Sequence, residues 1–339
     1  MSIPQTTTSH QAGNHSLTRT AFQILRAVAS RPCCLWDILS STDGTIRDIY
    51  DTCRWLRERG WIVERDGRVQ LGRLPKYWTQ ALRVDFEQHR EQFRGVAGEC
   101  PAPTTQFFQE PIVPDDVVRR VEFLYERGDL FERAILVLGD DDLFSLAAGL
   151  TELPRRIVVG EIDERVVNFI NAEAKKRNLK VEAFVYNVAE PLPAHLRRAF
   201  DVFVMDPVET VSGFSAWLSR GLAAIRHPGA VYFGLTELEC PPSYWHKFQR
   251  LLVDCGLVLT DILRNFSHYK NASLANPQAW QKTKLVREAP LPAKADEQPH
   301  WYRSSFCRAV TVKTPKVPIR GRIKLDSRFY RSPYTMTLD

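Results

Sequence analysis

Five short runs of branched apolar residues in this chain each end on side chains that carry a carboxylate or an amide. Gly139-Asp140-Asp141-Asp142 follows the run 135–138, Glu161-Ile162-Asp163 follows 157–159, and Asn187 follows 181–186. Asp206-Pro207-Val208-Glu209-Thr210 follows 202–205, and Thr236-Glu237 follows 231–234. In an open α/β sheet, ligands sit outside the carboxyl ends of the strands, so these residues are the candidates for chemistry. Three adjacent aspartates repel one another unless they face water, a helix N-terminus or a cation. Capping of a helix beginning at Leu143 accounts for one of them. Three in a row, with further acids at neighbouring strand ends, point beyond capping to a positively charged ligand.

The same loops narrow the ligand. Dinucleotides and carboxylate-bearing sulfonium cofactors normally meet a Gly-x-Gly loop, whose backbone N–H groups approach an anion. Here only Gly139 is present and aspartates fill the rest, which suits a nucleoside whose tail ends in an amine. Glu161 stands where such folds grip ribose hydroxyls. Asp206-Pro207 resembles the start of an Asp-Pro-Pro-aromatic loop that methylates base amines, but Val208-Glu209 offers no ring to stack a flipped base.

Helical stretches at about 143–153, 164–177, 214–226 and 244–255 separate the apolar runs. Strand–helix alternation predicts a doubly wound, mainly parallel, Rossmann-like sheet of the methyltransferase type over residues 115–313. The runs 258–264 and 306–311 would add antiparallel edge strands. Upstream, three helical patterns and a hairpin turning at Asp66-Gly67 predict a winged-helix domain over 17–72. Such a domain either places its third helix in a DNA groove or serves as a docking module. Residues 1–16 read as a flexible tail, 73–114 as a proline-broken linker with some helix near 77–93, and 314–339 as a basic arm.

At 339 residues the chain exceeds one ordinary core. With 44% hydrophobic and 25% charged residues it is globular. No apolar run reaches the roughly 18 residues of a membrane helix, and the start lacks a basic-then-apolar leader, which predicts a cytoplasmic protein. The seven cysteines are scattered without a Cys-x-x-Cys pair, so neither a disulfide framework nor a metal site is expected. The net charge of +6 divides into +4 over residues 1–90, −5 over 91–299 and +7 over 300–339. The acidic middle repels a phosphate backbone and attracts a cation, so nucleic acid is not expected as a partner. Trp217, Tyr232, Trp245 and Phe266 read as core residues before they read as walls of a cation channel.

The runs GDDDLFSLA, GEIDERVVNFI and FDVFVMDPVETVSGFSAWLSRGLAAIRHPGAVYFGLT, with LLVDCGLVLTDILRNFSHY and HWYRSSFCRAV, resemble the branched-chain polyamine synthases. The likeness spans most of residues 17–312. It implies an aminopropyltransferase that moves the aminopropyl group of decarboxylated S-adenosylmethionine to the secondary amine of spermidine, releasing methylthioadenosine. A second transfer would give the quaternary product. The donor is a co-substrate and no separate cofactor is implied. The family also implies a homodimer.

The resemblance marks the middle aspartate, Asp141, as the principal catalytic acid, with Asp206 beside it to position the amine. Gly139, Asp140, Glu161, Asp163 and Asn187 are then assigned to the donor nucleoside, and Gln109, Asp142, Glu209 and Thr210 to the polyamine. Asp140 would share with Asp142 and Glu209 the holding of terminal ammonium groups. Family members commonly carry an Asp-Gln pair where this chain has Phe108-Gln109, an aspartate at Asn187, and a cysteine-rich segment of which only Cys100 remains. Two other functions stay open on the residues alone: an S-adenosylmethionine-dependent amine or nucleic-acid N-methyltransferase, and a winged-helix DNA-binding regulator that senses a nucleoside or polyamine.

Overall fold

The computed structural model describes residues 17–270, 283–292 and 301–336; the tail expected at 1–16 lies outside them. The chain divides between Arg83 and Val84 into two compact units. In the first, α1 (Arg19–Ser30), α2 (Leu35–Ser40) and α3 (Ile46–Glu58) precede β1 (Ile62–Arg65), β2 (Arg68–Leu71) and α4 (Lys76–Ala81). Thr18 and Thr45 start α1 and α3 by accepting hydrogen bonds from the backbone N–H groups of Ala21 and Asp48. β1 and β2 pair antiparallel, and the turn between them puts Asp66 and Gly67 at φ 51° and 70°, the left-handed pair that a two-residue hairpin needs.

The second unit begins with α5 (Phe86–Ala97) and α6 (Pro114–Glu126). Residues 73–114 are therefore not a linker throughout: α4 belongs to the first unit, and α5 packs on α6 through Arg90–Glu122 at 2.8 Å and Arg94–Asp115 at 2.6 Å. The prolines break only the stretch after α5, whose start is capped by Asp85.

The sheet follows in the order β5-β4-β3-β6-β7-β9-β8. It comprises β3 (Ala134–Leu138), β4 (Arg156–Glu161), β5 (Val181–Val185), β6 (Phe200–Met205), β7 (Ile225–Leu235), β8 (Leu257–His268) and β9 (Arg303–Thr311). β5 through β7 run parallel. α7 (Phe144–Leu150), α8 (Glu164–Lys176), α9 (Val211–Ala224) and α10 (Pro242–Asp254) supply helices between strands. β3 is wholly buried and β6 nearly so, as strands covered on both faces must be. The last two strands differ from expectation in one respect: β9 lies inside the sheet, antiparallel to both β7 and β8, and only β8 is an edge. The chain moves outward from β3 to β5 and then returns to place β6 beside β3. That reversal makes the carboxyl ends of β3 and β6 the switch point of the sheet.

The basic arm is fastened along the second unit. Arg220, fully buried on α9, donates to the carbonyls of Val188, Ala189, Ile319 and Gly321 at 2.8–3.1 Å. Thr210 Oγ1 donates to the Phe329 carbonyl at 2.7 Å, and the Met336 N–H donates to Glu239 at 2.8 Å.

Candidate active site

The turn out of β3 is set by Gly139, whose φ of 67° is left-handed and whose missing Cβ would stand 2.7 Å from the Trp217 ring. Asp140, 1% exposed, turns inward and accepts the Ser145 N–H at 3.2 Å, serving the first turn of α7. Capping therefore occupies this aspartate. Asp141 is half-buried, and its carboxyl has no hydrogen-bond partner among the described residues. Burial, and then the charges of Asp142, Glu161, Asp206 and Asp140, hold it well above the usual carboxylate range.

Asp142 accepts the Ile112 N–H at 2.6 Å and lies 3.6 Å from Arg120. Burial outweighs that arginine and pushes its carboxyl up to about 7. Asp206, at the end of β6, accepts from Arg120 Nη1 at 2.8 Å. The switch point thus brings Asp141, Asp142 and Asp206 together as expected from the strand ends.

On the β4 side, Glu161 is 3% exposed and ties two loops together. One of its oxygens accepts the Asp140 N–H at 2.7 Å; the other accepts those of Ile162 and Asp163 at 2.7 and 2.9 Å. Burial raises its carboxyl while these three donors pull it back. Asp163 caps α8 through the Arg165 N–H at 2.9 Å and pairs with the Arg165 guanidinium at 2.6 Å, which lowers it against the cost of burial. It also accepts from Gln109 at 3.1 Å, so these two residues, assigned to different ligands, meet each other. Asn187 closes a turn by accepting the Ala189 N–H at 2.9 Å.

On the β7 side, Glu209 accepts the Thr236 N–H at 2.5 Å, while its other oxygen is buried without an N–H or O–H donor among the described residues. Burial, with Glu239 and Asp206 adding to it against the Thr236 donor, raises this acid well above its ordinary value. Thr210 is the N-cap of α9, accepting the Gly213 N–H at 2.9 Å while donating to Phe329. Its hydroxyl is engaged on both sides. Phe108, with φ 57°, stacks on Tyr330 at 4.9 Å.

Sequence reasoning missed Arg120. Its signal was present: it falls on the buried face of α6 with Val117, Val121 and Leu124, where an arginine is expensive unless paired. Cys100 was also missed as a neighbour, its thiol pushed up to about 12 by burial and by Asp141. All seven cysteines are free, and among the described residues no three His, Cys, Asp or Glu side chains are placed to hold a metal ion. Among those residues, too, no helix is long and apolar enough to cross a membrane.

An open, mainly parallel α/β sheet with an excess of carboxylates at its switch point is the class of molecule that this fold and rim define. The C-terminal domain of branched-chain polyamine synthase A matches residues 88–332. The N(4)-bis(aminopropyl)spermidine synthase of Thermococcus kodakarensis is 38% identical over 321 residues, covering 88% of this chain and 89% of its own. That of Methanocaldococcus jannaschii is 37% identical over 232 residues, covering 68% of this chain and 64% of its own. The crystal structure of the branched-chain polyamine synthase from Thermus thermophilus, in complex with N4-aminopropylspermidine and 5′-methylthioadenosine, superimposes with a TM-score of 0.69. It is 29% identical, and the alignment covers 94% of this chain and 93% of that one. The chain belongs to the branched-chain polyamine synthase family.

Proposed function

We propose that this chain is an aminopropyltransferase that carries the aminopropyl group of decarboxylated S-adenosylmethionine to the secondary amine of spermidine. Beside the family membership, the observation that carries this reading is Asp141, a carboxyl without a hydrogen-bond partner among the described residues, facing four other acids at the switch point. The sulfonium donor is already activated. The amine nitrogen attacks the carbon bonded to sulfur, the C–S bond breaks with its electrons going to sulfur, and methylthioadenosine leaves.

Proximity and electrostatics are what the protein supplies. With the cationic donor and acceptor bound, Asp141 is ionised: it accepts a hydrogen bond from the neutral amine, orients its lone pair and takes the N–H proton as the C–N bond forms. A second transfer starts from a tertiary amine and has no N–H proton to remove, so there Asp141 acts by charge alone. Asp206 positions the amine, and Asp142 and Glu209 hold distal ammonium groups. Asp140, Glu161, Asp163 and Asn187 shape the nucleoside side, Glu161 facing the ribose hydroxyls. Gln109 and Thr210 line the polyamine end through the loop and arm they hold.

In this reading the N-terminal helices and hairpin form a winged-helix module, the protein is a homodimer of the cytoplasm, and its partners are small molecules. Sedimentation of the full chain tests the dimer. Mass spectrometry of spermidine incubated with the protein and either intact or decarboxylated S-adenosylmethionine tests the reaction. Spermidine gaining one or two aminopropyl units from the decarboxylated donor alone is the expected result. Methylated amine from the intact donor would replace this reading with a methyltransferase. No product, together with salt-sensitive duplex binding, would replace it with a DNA-binding regulator.

A further inference from the structure

One buried cation touches two of the rim acids. Arg120 is 2% exposed, and its guanidinium is engaged along its whole edge. Nε donates to Ser267 Oγ at 2.8 Å and Nη2 to Ser304 Oγ at 3.4 Å. Nη1 donates to Asp206 Oδ2 at 2.8 Å and stands 3.6 Å from Asp142 Oδ2. The Phe306 ring lies 4.7 Å from the guanidinium carbon. Gly234 on β7 leaves the room for this pair: a Cβ there would stand 2.0 Å from Asp206 Oδ1 and 3.1 Å from Arg120 Nη2. Asp206 and Asp142 therefore have a shared counter-charge in a fixed place, and among the described residues Asp141 has no ion-pair partner.

We infer that Arg120 is the positioning residue of this site: it fixes the Asp206 and Asp142 side chains in place and so leaves Asp141 as the carboxyl that answers the incoming amine. The inference rests on the aminopropyl-transfer reading. A lysine keeps the charge but has no planar fork to span two serines and two acids at once. The groups that face this cluster are Asp140, Asp141, Asp142, Glu161, Asp206 and Glu209, the Cys100 thiol, Tyr269 and Lys270. Removing the guanidinium takes away the main attraction that favours ionised Asp142. Asp142 then keeps its proton to higher pH, so the acid limb of the transfer rate moves upward.

The test uses the full chain with spermidine and decarboxylated S-adenosylmethionine, measuring kcat and KM across pH for the wild type, Arg120→Met and Arg120→Lys. Arg120→Met is expected to lose about 100-fold in kcat through misplaced acids, with an upward-shifted acid limb. Its donor KM is expected to stay within about threefold of the wild type. Arg120→Lys is expected to recover part of that loss and to leave the limb in place. An unshifted limb in Arg120→Met, or equal losses in both variants that merely follow the folded fraction in a thermal melt, would overturn the inference. Should Arg120→Met not fold, Arg120→Lys decides: a drop of about tenfold with the limb unmoved supports the role, and wild-type kcat overturns it. A wild type that makes no product sinks the functional reading and this inference with it. A productive wild type matched by its variants sinks the inference alone.

Discussion

Two buried arginines in the second unit each bridge two aspartates beside an aromatic ring, and they end differently. Around Arg308 the charges balance. Its guanidinium contacts Asp129 at 2.9 Å and Asp261 at 3.7 Å, the Tyr232 hydroxyl donates to Asp129 at 2.7 Å, and Arg127 completes the set on Asp261 at 2.8 Å. Around Arg120 they do not balance, because Asp141, Asp140 and Glu161 crowd the two acids that it holds. A balanced cluster satisfies itself and contributes to the fold. An unbalanced one holds acids that a proton or an arriving cation must neutralise, and that surplus is what the proposed function uses.

The sharpest way to break this contrast is to remove one acid from each cluster. Asp141→Asn is expected to lower transfer by about 10²–10⁴-fold in the mass-spectrometric assay. It should also stabilise the protein at neutral pH. The native carboxyl is raised above its ordinary 3.8, so the folded chain binds a proton that the unfolded one releases, and stability falls as pH climbs through that window. Asparagine removes this loss, and its advantage in melting temperature should widen as pH rises from 4 towards neutrality. Near-wild-type turnover, or a lower melting temperature at neutral pH, would contradict the contrast. Asp129→Asn should do the opposite, costing about 3–5 kcal/mol in denaturant unfolding with kcat per folded molecule retained.

Gly234→Ala should fall between the two. Its new methyl group meets Asp206, costing about 1–3 kcal/mol and disturbing the Arg120 pair. Unchanged stability and kcat would mean that the close approach is relieved without consequence. Glu161→Ala is expected to weaken methylthioadenosine binding by roughly 1.5–3 kcal/mol in calorimetry, and equal affinity would remove Glu161 from the nucleoside side. Arg322→Ala, which removes the exposed pair with Glu190 at 2.9 Å, should cost less than about 1 kcal/mol.

The strand ends were the most legible part of this chain. Branched runs bounded by helical patterns located β3 to β6 within a few residues and only the second half of β7, whose first residues read as helix. The acids after these runs fell where the topology brings strand ends together. The roles of individual acids were less legible. Asp140 turns inward to Ser145 in a turn that holds a left-handed residue at Leu143, φ 60°, which no pattern announces. Arg120 was hidden for another reason. Its serine partners lie 147 and 184 positions along the chain, beyond any local periodicity. The place of β9 inside the sheet is likewise a pairing between distant segments, and the fastening of the arm relies on backbone carbonyls that carry no sequence signal.

That last feature bears on how freely this protein can drift. Arg220 grips the C-terminal segment by the carbonyls of Ile319 and Gly321, and Ala189 accepts the Ile323 N–H at 2.8 Å. Every amino acid offers the same carbonyl, so the hold is indifferent to the letters written between 319 and 323. Substitutions there should pass almost silently through a mutational scan, proline at 319 or 323 excepted, because the N–H groups of those residues donate to Ser219 and Ala189. The single change Arg220→Ala should release the segment and register as one of the least tolerated positions on α9.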